Sequence, residues 1–184
     1  MTLLGLLATV VDALDAEGVP HMLTGSHASS FHGEPRATND IALVIDPARA
    51  DQLEAVRERL RRHGLCCGDT ASALEHRSMC NAIDSSTGTK VDLIVRKDRP
   101  FSATEFARRL PVTIDGVSLF VATAEDVILA KLEWARSGGS ERQRRDIEGI
   151  LAISGPTLDL DHLRRWAADL DLTADLEGVL TDLQ

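Results

Sequence analysis

The sequence predicts an α/β fold of the α+β type, with a small mixed sheet flanked by helices and followed by a C-terminal helical subregion. Up to about residue 121, short apolar runs bounded by Gly, Pro and Asp alternate with segments of helical periodicity. From residue 122 onward, apolar residues recur only at helical spacing. We therefore expect a core over residues 1–121 and a helical subregion over residues 122–184, within one compact unit.

The composition is that of an ordinary globular protein. The chain has 184 residues, of which 43% are hydrophobic and 27% charged, and the net charge is −9. Nucleic-acid binding would therefore need a local basic patch, such as residues 57–62 or 142–145. The N-terminal segment has helical periodicity and early acidic residues, so it predicts an amphipathic helix rather than an export signal. We expect a cytoplasmic protein without a membrane partner.

The cysteines predict packing rather than metal binding. Their odd count, with no export signal, fits a reducing compartment. The spacing of the nearby histidines and cysteines matches no common zinc pattern. We expect buried, apolar cysteines. The residues concerned are His63, Cys66, Cys67, His76 and Cys80.

The first half of the chain predicts a helix, a strand, a short helix, a strand and a long helix. After the N-terminal helix, "PHMLTG" is a strand, and "SHASSFHG" is a helix capped by Ser26 and ended by Gly33. "DIALVID" has the apolar and β-branched composition of a strand. A long helix is expected from Pro47 to Gly64.

The second half predicts further strands and then only helices. Residues 65–84 indicate one or two strands around a loop, and "TKVDLIV" indicates a strand. "SATEFARRL" is a helix with a Ser or Thr cap, and "VTIDGVSLFVAT" is a hairpin turning at Asp115-Gly116. Helices follow from Thr123, whose cap involves Asp126, and from Ser140, with two more near residues 159–169 and 173–182.

A candidate phosphate-binding turn is followed along the chain by two strands that each carry an aspartate. Gly25 and Ser26 end a strand and open a helix, where free N–H groups and a hydroxyl can hold a phosphate. Asp40 starts the next strand, and Asp92 interrupts an apolar strand, so its charge must be paired, solvated or metal-bound. Two carboxylates on adjacent strands facing a phosphate-binding turn suit Mg²⁺-assisted nucleotidyl transfer.

The segment "LTGSHASSFHGEPRATNDIALVID" resembles the signature of the polymerase-β-type nucleotidyltransferase superfamily. That signature is an apolar strand, Gly-Gly or Gly-Ser, a short helix and Asp-x-Asp, with a third acidic residue on a later strand. The pattern "HGxxRxTxD" and the tail "TAEDVILAKLEWAR…RRDIEGIL" are similar to the AbiEii-like branch, which includes toxins of bacterial toxin–antitoxin pairs. The resemblance runs from about Val19 to Leu151 and implies a nucleotidyltransferase core.

The resemblance also implies roles for single residues. It assigns the nucleotide to Gly25, Ser26, Arg36 and Thr38, the metal to Asp40 and Asp92, and catalysis to Asp40, position 42, Asp92, Lys131 and Asp146. Other roles stay open from the residues alone. Ser26 could cap a helix, Arg36 could pair with a carboxylate, and Lys131 could be solvated. Asp146 could pair with Arg142 or Lys131.

Ala42 departs from the signature, which has a second Asp there. Residues two apart in a strand share a face, so we expect Ala42 beside Asp40 and a metal site short of one ligand. Three explanations compete: a natural binding protein without activity, an enzyme in which Glu34 or Asp46 replaces the missing carboxylate, or an inactivating substitution. We expect the chain to be inactive as it stands.

The resemblance implies transfer of a nucleoside monophosphate from an NTP, with Mg²⁺, to an acceptor hydroxyl. The toxin branch implies a tRNA 3′ end or a protein as acceptor, and a cognate antitoxin as partner. One alternative is a small-molecule acceptor of the aminoglycoside or lincosamide kind, which the acidic charge favours. Another is a non-catalytic antitoxin or regulatory binding module.

Overall fold

The computed structural model describes residues 1–138 and 141–181. The chain divides into two compact units, one formed by residues 1–24 and 38–121, the other by residues 25–37 and the described residues from 122 onward. The sequence had placed all of residues 1–121 in one core and the whole chain in one unit. Residues 25–37 instead group with the C-terminal helices.

The first unit contains a seven-stranded mixed sheet, so the predicted fold class is confirmed. The strand order is β3-β4-β5-β2-β1-β7-β6, with β2/β5 and β1/β7 parallel and the other neighbours antiparallel. The strands are β1 (His21–Thr24), β2 (Asp40–Ile45), β3 (Leu65–Cys67), β4 (Met79–Asp84), β5 (Lys90–Val95), β6 (Leu110–Ile114) and β7 (Val117–Val121).

Helices of the described residues fall in both units. The first unit has α1, α3, α4 and α5, and the second has α2 and α6 to α9. None of them is long and apolar enough to cross a bilayer. They are α1 (Leu3–Ala16), α2 (Gly25–His32), α3 (Ala50–Arg62), α4 (Thr70–Glu75), α5 (Pro100–Arg108), α6 (Ala124–Gly138), α7 (Glu141–Ser154), α8 (Leu160–Asp169) and α9 (Thr173–Thr181).

Three helix starts in the first unit differ from the prediction. α3 begins at Ala50 rather than Pro47, because the side chain of Gln52 accepts from the N–H of Arg49 and fixes the cap there. α5 begins with Pro100 in its first turn rather than after a Ser or Thr cap. The short helix α4 was not predicted; the side chain of Asp69 caps it.

The sheet core follows the alternation in the sequence. On β2 and β5, every second side chain is buried, as with Ile41, Leu43, Val91 and Leu93. The predicted β6–β7 hairpin is present, and both residues of its turn, Asp115 and Gly116, have positive φ. The opposite face of β2 and β5 is therefore free to carry polar groups.

The cysteine prediction is only partly right. Cys80 is buried, but Cys66 is exposed, with its Sγ 3.2 Å from the Oγ of Ser85. β3 is a three-residue strand, so Cys66 and Cys67 point to opposite faces, and Cys67 is half-buried. Among the described residues, no group of three or more His, Cys, Asp or Glu side chains could bind a metal ion.

In the second unit, α2 packs closely on α7. A Cβ on Gly33 would lie 2.5 Å from the backbone N of Ile150 and 2.6 Å from the carbonyl carbon of Gly149, so only glycine fits. The predicted cap of α6 is confirmed, since the N–H of Asp126 donates to Thr123 Oγ1. The predicted cap at Ser140 and the predicted helix end at residue 182 lie outside the described residues.

Candidate active-site residues

The polar face of β2 and β5 brings together the carboxylates that the sequence singled out. Parallel pairing sets Asp40 opposite Lys90 and Ala42 opposite Asp92. Paired residues, and residues two apart on one strand, point to the same side of a sheet. Ala42 therefore shares a face with Asp40 and Asp92, as the spacing predicted.

Asp92 is held by two residues that sequence reasoning missed. Asn81 lies opposite Asp92 on β4, and its Nδ2 donates to Asp92 Oδ1. The Nζ of Lys90 lies 3.3 Å from both carboxylate oxygens of Asp92, whose side chain is 16% exposed. The apolar strand thus tolerates this charge because an amide and an ammonium compensate it.

Lys90 also reaches the second carboxylate. Its Nζ lies 3.8 Å from Oδ2 of Asp40, and the two side chains are 36% and 56% exposed. One ammonium therefore contacts both predicted metal ligands, and the three side chains carry a net charge of −1. The i, i+2 spacing of Lys90 and Asp92 in "TKVDLIV" was the signal that could have placed this lysine on the face.

This face fits one magnesium ion and does not fit two. Mg²⁺ is commonly held by one or two carboxylates together with substrate phosphates and water. Asp40 and Asp92 can supply the two carboxylates. A second ion would need a further carboxylate, and position 42 provides a methyl group. Lys90 adds positive charge at the point where a second ion would need negative charge.

Of the two predicted substitutes, Asp46 does not supply the missing ligand. Asp46 follows the far end of β2, roughly 20 Å along the strand from Asp40 at the usual rise per residue. It pairs there with Arg96, at 2.9 Å between Nε and Oδ2. Glu34 belongs to the second unit, where its N and Cβ lie near Gly149. Thr38, assigned to the nucleotide by the resemblance, is half-buried just before β2.

In the second unit, the Gly25-Ser26 turn differs from the predicted cap. Gly25 has a φ of +65°, which favours glycine, and it is the first residue of α2. Ser26 therefore lies inside the first turn rather than at the N-cap. Its Oγ accepts a hydrogen bond from Nη2 of Arg36. Ser26 and Arg36 are thus joined, which sequence spacing alone did not indicate.

Arg36 is fixed by a buried ion-pair network. Its Nε and Nη2 donate to the two carboxylate oxygens of Asp146 at 2.6 and 3.0 Å. The Nζ of Lys131 donates to Asp146 Oδ2 at 2.6 Å and to Gln143 Oε1 at 3.0 Å. The side chains of Lys131 and Asp146 are each only 4% exposed. Of the two partners that the sequence offered for Asp146, Lys131 is the one that contacts it. The alternative in which Lys131 is exposed to solvent is therefore wrong.

The network sets the direction of several pKa values. Burial by itself would raise the pKa of Asp146, but the hydrogen bonds from Arg36 and Lys131 outweigh it and hold that pKa below its ordinary value. Burial lowers the pKa of Lys131, although Asp146 opposes the shift. Burial, with a smaller effect of Arg36, lowers the pKa of His27. Asp146 is therefore the charged carboxylate that binds both Arg36 and Lys131.

A cavity of about 540 Å³ opens beside this network. Its lining carries three guanidinium groups and two carboxylates, so its charge suits an anion, and its volume is that of a small-ligand site. The lining residues are Arg36, Glu141, Arg142, Gln143, Arg145 and Asp146.

The basic runs on α3 and α7 are largely paired within their own helices. Arg57 lies 3.2 Å from Glu54 on α3, and on α7 Arg145 lies 3.0 Å from Glu141. These i, i+3 and i, i+4 pairs are typical of solvated helix faces. The two basic runs, residues 57–62 and 142–145, therefore have the charge pairing expected of solvated helix faces.

No protein-family model and no curated protein matches the chain. Among solved structures, it is similar to the antibiotic-resistance factor ANT(2″)-Ia, with a TM-score of 0.60, 19% identity and coverage of 95% of this chain and 94% of that one. A nucleotidyltransferase-like protein from Paracoccidioides brasiliensis gives a TM-score of 0.57 at 20% identity, covering 94% and 90%. The lincosamide adenylyltransferase LnuA gives 0.54 at 14% identity, covering 78% and 93%. At such identities the likeness establishes the fold alone, which this chain shares with these nucleotidyltransferase structures.

Proposed function

We propose that this chain transfers a nucleoside monophosphate from an NTP to a hydroxyl group of a small cationic molecule, at a rate that Ala42 keeps low. The observation that carries the proposal is the pairing of β2 with β5. In a nucleotidyltransferase fold, it sets Asp40 and Asp92 on a common face. The same pairing sets the methyl group of Ala42 directly opposite Asp92.

Asp40 and Asp92 are the residues that would hold one Mg²⁺ ion. When bound, the ion supplies positive charge to the phosphate oxygens. In this proposal, Asp92 also takes the proton of the acceptor hydroxyl. The acceptor oxygen then forms its bond to the α-phosphorus as the bond to pyrophosphate breaks. Asn81 orients the Asp92 carboxylate through its hydrogen bond to Oδ1.

The arginines of the second unit are proposed to bind phosphate oxygens. Arg142 lines the 540 Å³ cavity and can bind a phosphate with two parallel hydrogen bonds. Arg36 lines it too, but its Nε and Nη2 already donate to Asp146 and Ser26, so Nη1 is the donor that it can offer. The hydroxyl of Ser26 is already bonded to Arg36 and is available as a further donor. Lys131 and Asp146 act in this proposal by fixing the position of Arg36.

A small cationic acceptor is supported by three observations. The chain carries a net charge of −9, which attracts cations and repels RNA. Aromatic residues are 3% of the chain and tyrosine is absent, which leaves few platforms for stacking nucleotide bases. The similar structures include ANT(2″)-Ia in complex with adenylyl-2″-tobramycin and LnuA with lincomycin bound. A tRNA or protein acceptor and an antitoxin partner have no comparable support.

The test is a screen of acceptors by mass spectrometry. The parent and the Ala42→Asp variant are incubated with Mg²⁺, each of the four NTPs, and aminoglycosides, lincosamides or total RNA. The proposal expects a small-molecule product heavier by one nucleoside monophosphate, formed faster by the variant. Labelling of RNA alone would instead support the toxin-like function. Nucleotide binding by both proteins without any product would support a non-catalytic binding module.

A further inference from the structure

The ammonium group of Lys90 lies within 4 Å of both carboxylates on the polar face of β2 and β5. It contacts Asp92 at 3.3 Å and Asp40 at 3.8 Å, so a single cation already neutralises part of both carboxylates. The register that pairs Lys90 with Asp40 holds it there through the backbone. Two residues of this chain oppose binding of two metal ions at this face. Residue 42 has a methyl group where a carboxylate would be needed, and residue 90 adds a positive charge.

We propose that Lys90 is a built-in counter-cation that limits this face to one divalent ion. The inference rests on the proposed function, because it specifies how the same carboxylates are used. With Lys90 present, the three side chains have a net charge of −1, which can attract one ion but repels a second. Without Lys90 the charge becomes −2, and binding of a divalent ion tightens.

The experiment is a titration with Mn²⁺ in the absence of nucleotide, in which electron paramagnetic resonance measures the free ion. It compares the parent with Lys90→Met, Lys97→Met, Ala42→Asp and Asp92→Asn. Lys97→Met is the matched control, because it removes the same charge from the same unit two residues beyond the end of β5. A general effect of net charge would appear in both lysine variants, whereas a local effect appears only in Lys90→Met.

We expect one ion in the parent, at least tenfold tighter binding in Lys90→Met, and a change below twofold in Lys97→Met. Ala42→Asp keeps Lys90 and should still bind one ion, and Asp92→Asn should lose the ion. Two ions in the parent, or equal affinities in the two lysine variants, would overturn the inference. Because the titration contains no nucleotide, its result does not depend on transfer activity. The titration can contradict the role of Lys90 while Ala42→Asp still transfers nucleotide, and it can support that role while Ala42→Asp transfers none. The two proposals are thus tested separately.

Discussion

The substitution Asp146→Asn should destabilise the second unit strongly. Asp146 accepts hydrogen bonds from Arg36 and Lys131, and the Lys131–Asp146 pair is almost fully removed from water. An asparagine keeps the shape of the side chain but removes the charge. The buried ammonium of Lys131 would then face only neutral acceptors, the amide oxygens of Gln143 and of the new side chain at position 146.

The expected loss follows from the burial of the pair. Removing one partner of a buried ion pair typically costs about 3–5 kcal/mol of unfolding free energy, since the other charge is left without compensation. For a chain of this length, about 2–4 °C of melting temperature corresponds to each kcal/mol. Circular dichroism should therefore detect a fall of roughly 6–20 °C, and urea unfolding should give the free energy directly.

A matched control is available on the surface of the same unit. Asp171 pairs with Arg136 at 3.0 Å, but both side chains are exposed. Asp171→Asn makes the same chemical change and should cost less than about 1 kcal/mol. The double variant Lys131→Met/Asp146→Leu removes both of the deeply buried charges and should recover part of the lost stability, while the half-buried Arg36 still loses its partner. If Asp146→Asn is no more harmful than Asp171→Asn, the argument from the buried network is wrong.

Three further predictions concern acid stability, a close backbone contact and nucleotide binding. Because the pKa of Asp146 is lower in the folded state, its contribution is present above about pH 4 and is lost as the pH falls below that value. Urea unfolding from pH 7 to 3 should therefore show a larger loss of unfolding free energy in the parent than in Asp146→Asn, which keeps the acid-sensitive Asp84. Gly33→Ala should lower the free energy of unfolding by about 1–3 kcal/mol, since the added Cβ would meet backbone atoms. Gly178→Ala, in α9 with open space around it, should raise the free energy of unfolding by about 0.5–1 kcal/mol. Equal urea midpoints for the two variants would contradict this. Asp92→Asn should abolish Mg²⁺-dependent NTP binding in calorimetry with little change in melting temperature, and unchanged binding would show that Asp92 is not a ligand.

Local sequence patterns predicted the strands around the carboxylates because their signals are local. The alternation in "DIALVID" and "KVDLIV" marks the buried faces of β2 and β5, and Asp115-Gly116 marks the hairpin turn. The helix α4 was missed because six residues are too few to display helical periodicity.

Contacts between distant residues could not be predicted in the same way. Asn81 reaches Asp92 only through the pairing of β4 with β5, and Arg36 reaches Asp146 across 110 positions. The register that creates the first contact depends on the whole sheet. The resemblance singled out Arg36 and Asp146 without indicating that they bind each other.

The most direct test of the proposed function is the rate of nucleotidyl transfer by the parent and by Ala42→Asp. Labelled NTPs are supplied with Mg²⁺ and with aminoglycoside, lincosamide and RNA acceptors, and the double variant Ala42→Asp/Asp92→Asn is the control. Loss of one group that stabilises transition-state charge typically costs about a hundred- to a thousandfold in rate. We expect Ala42→Asp to exceed the parent by at least that factor with a small-molecule acceptor, and the control to lose the gain. Equal rates in the parent and Ala42→Asp would contradict the account.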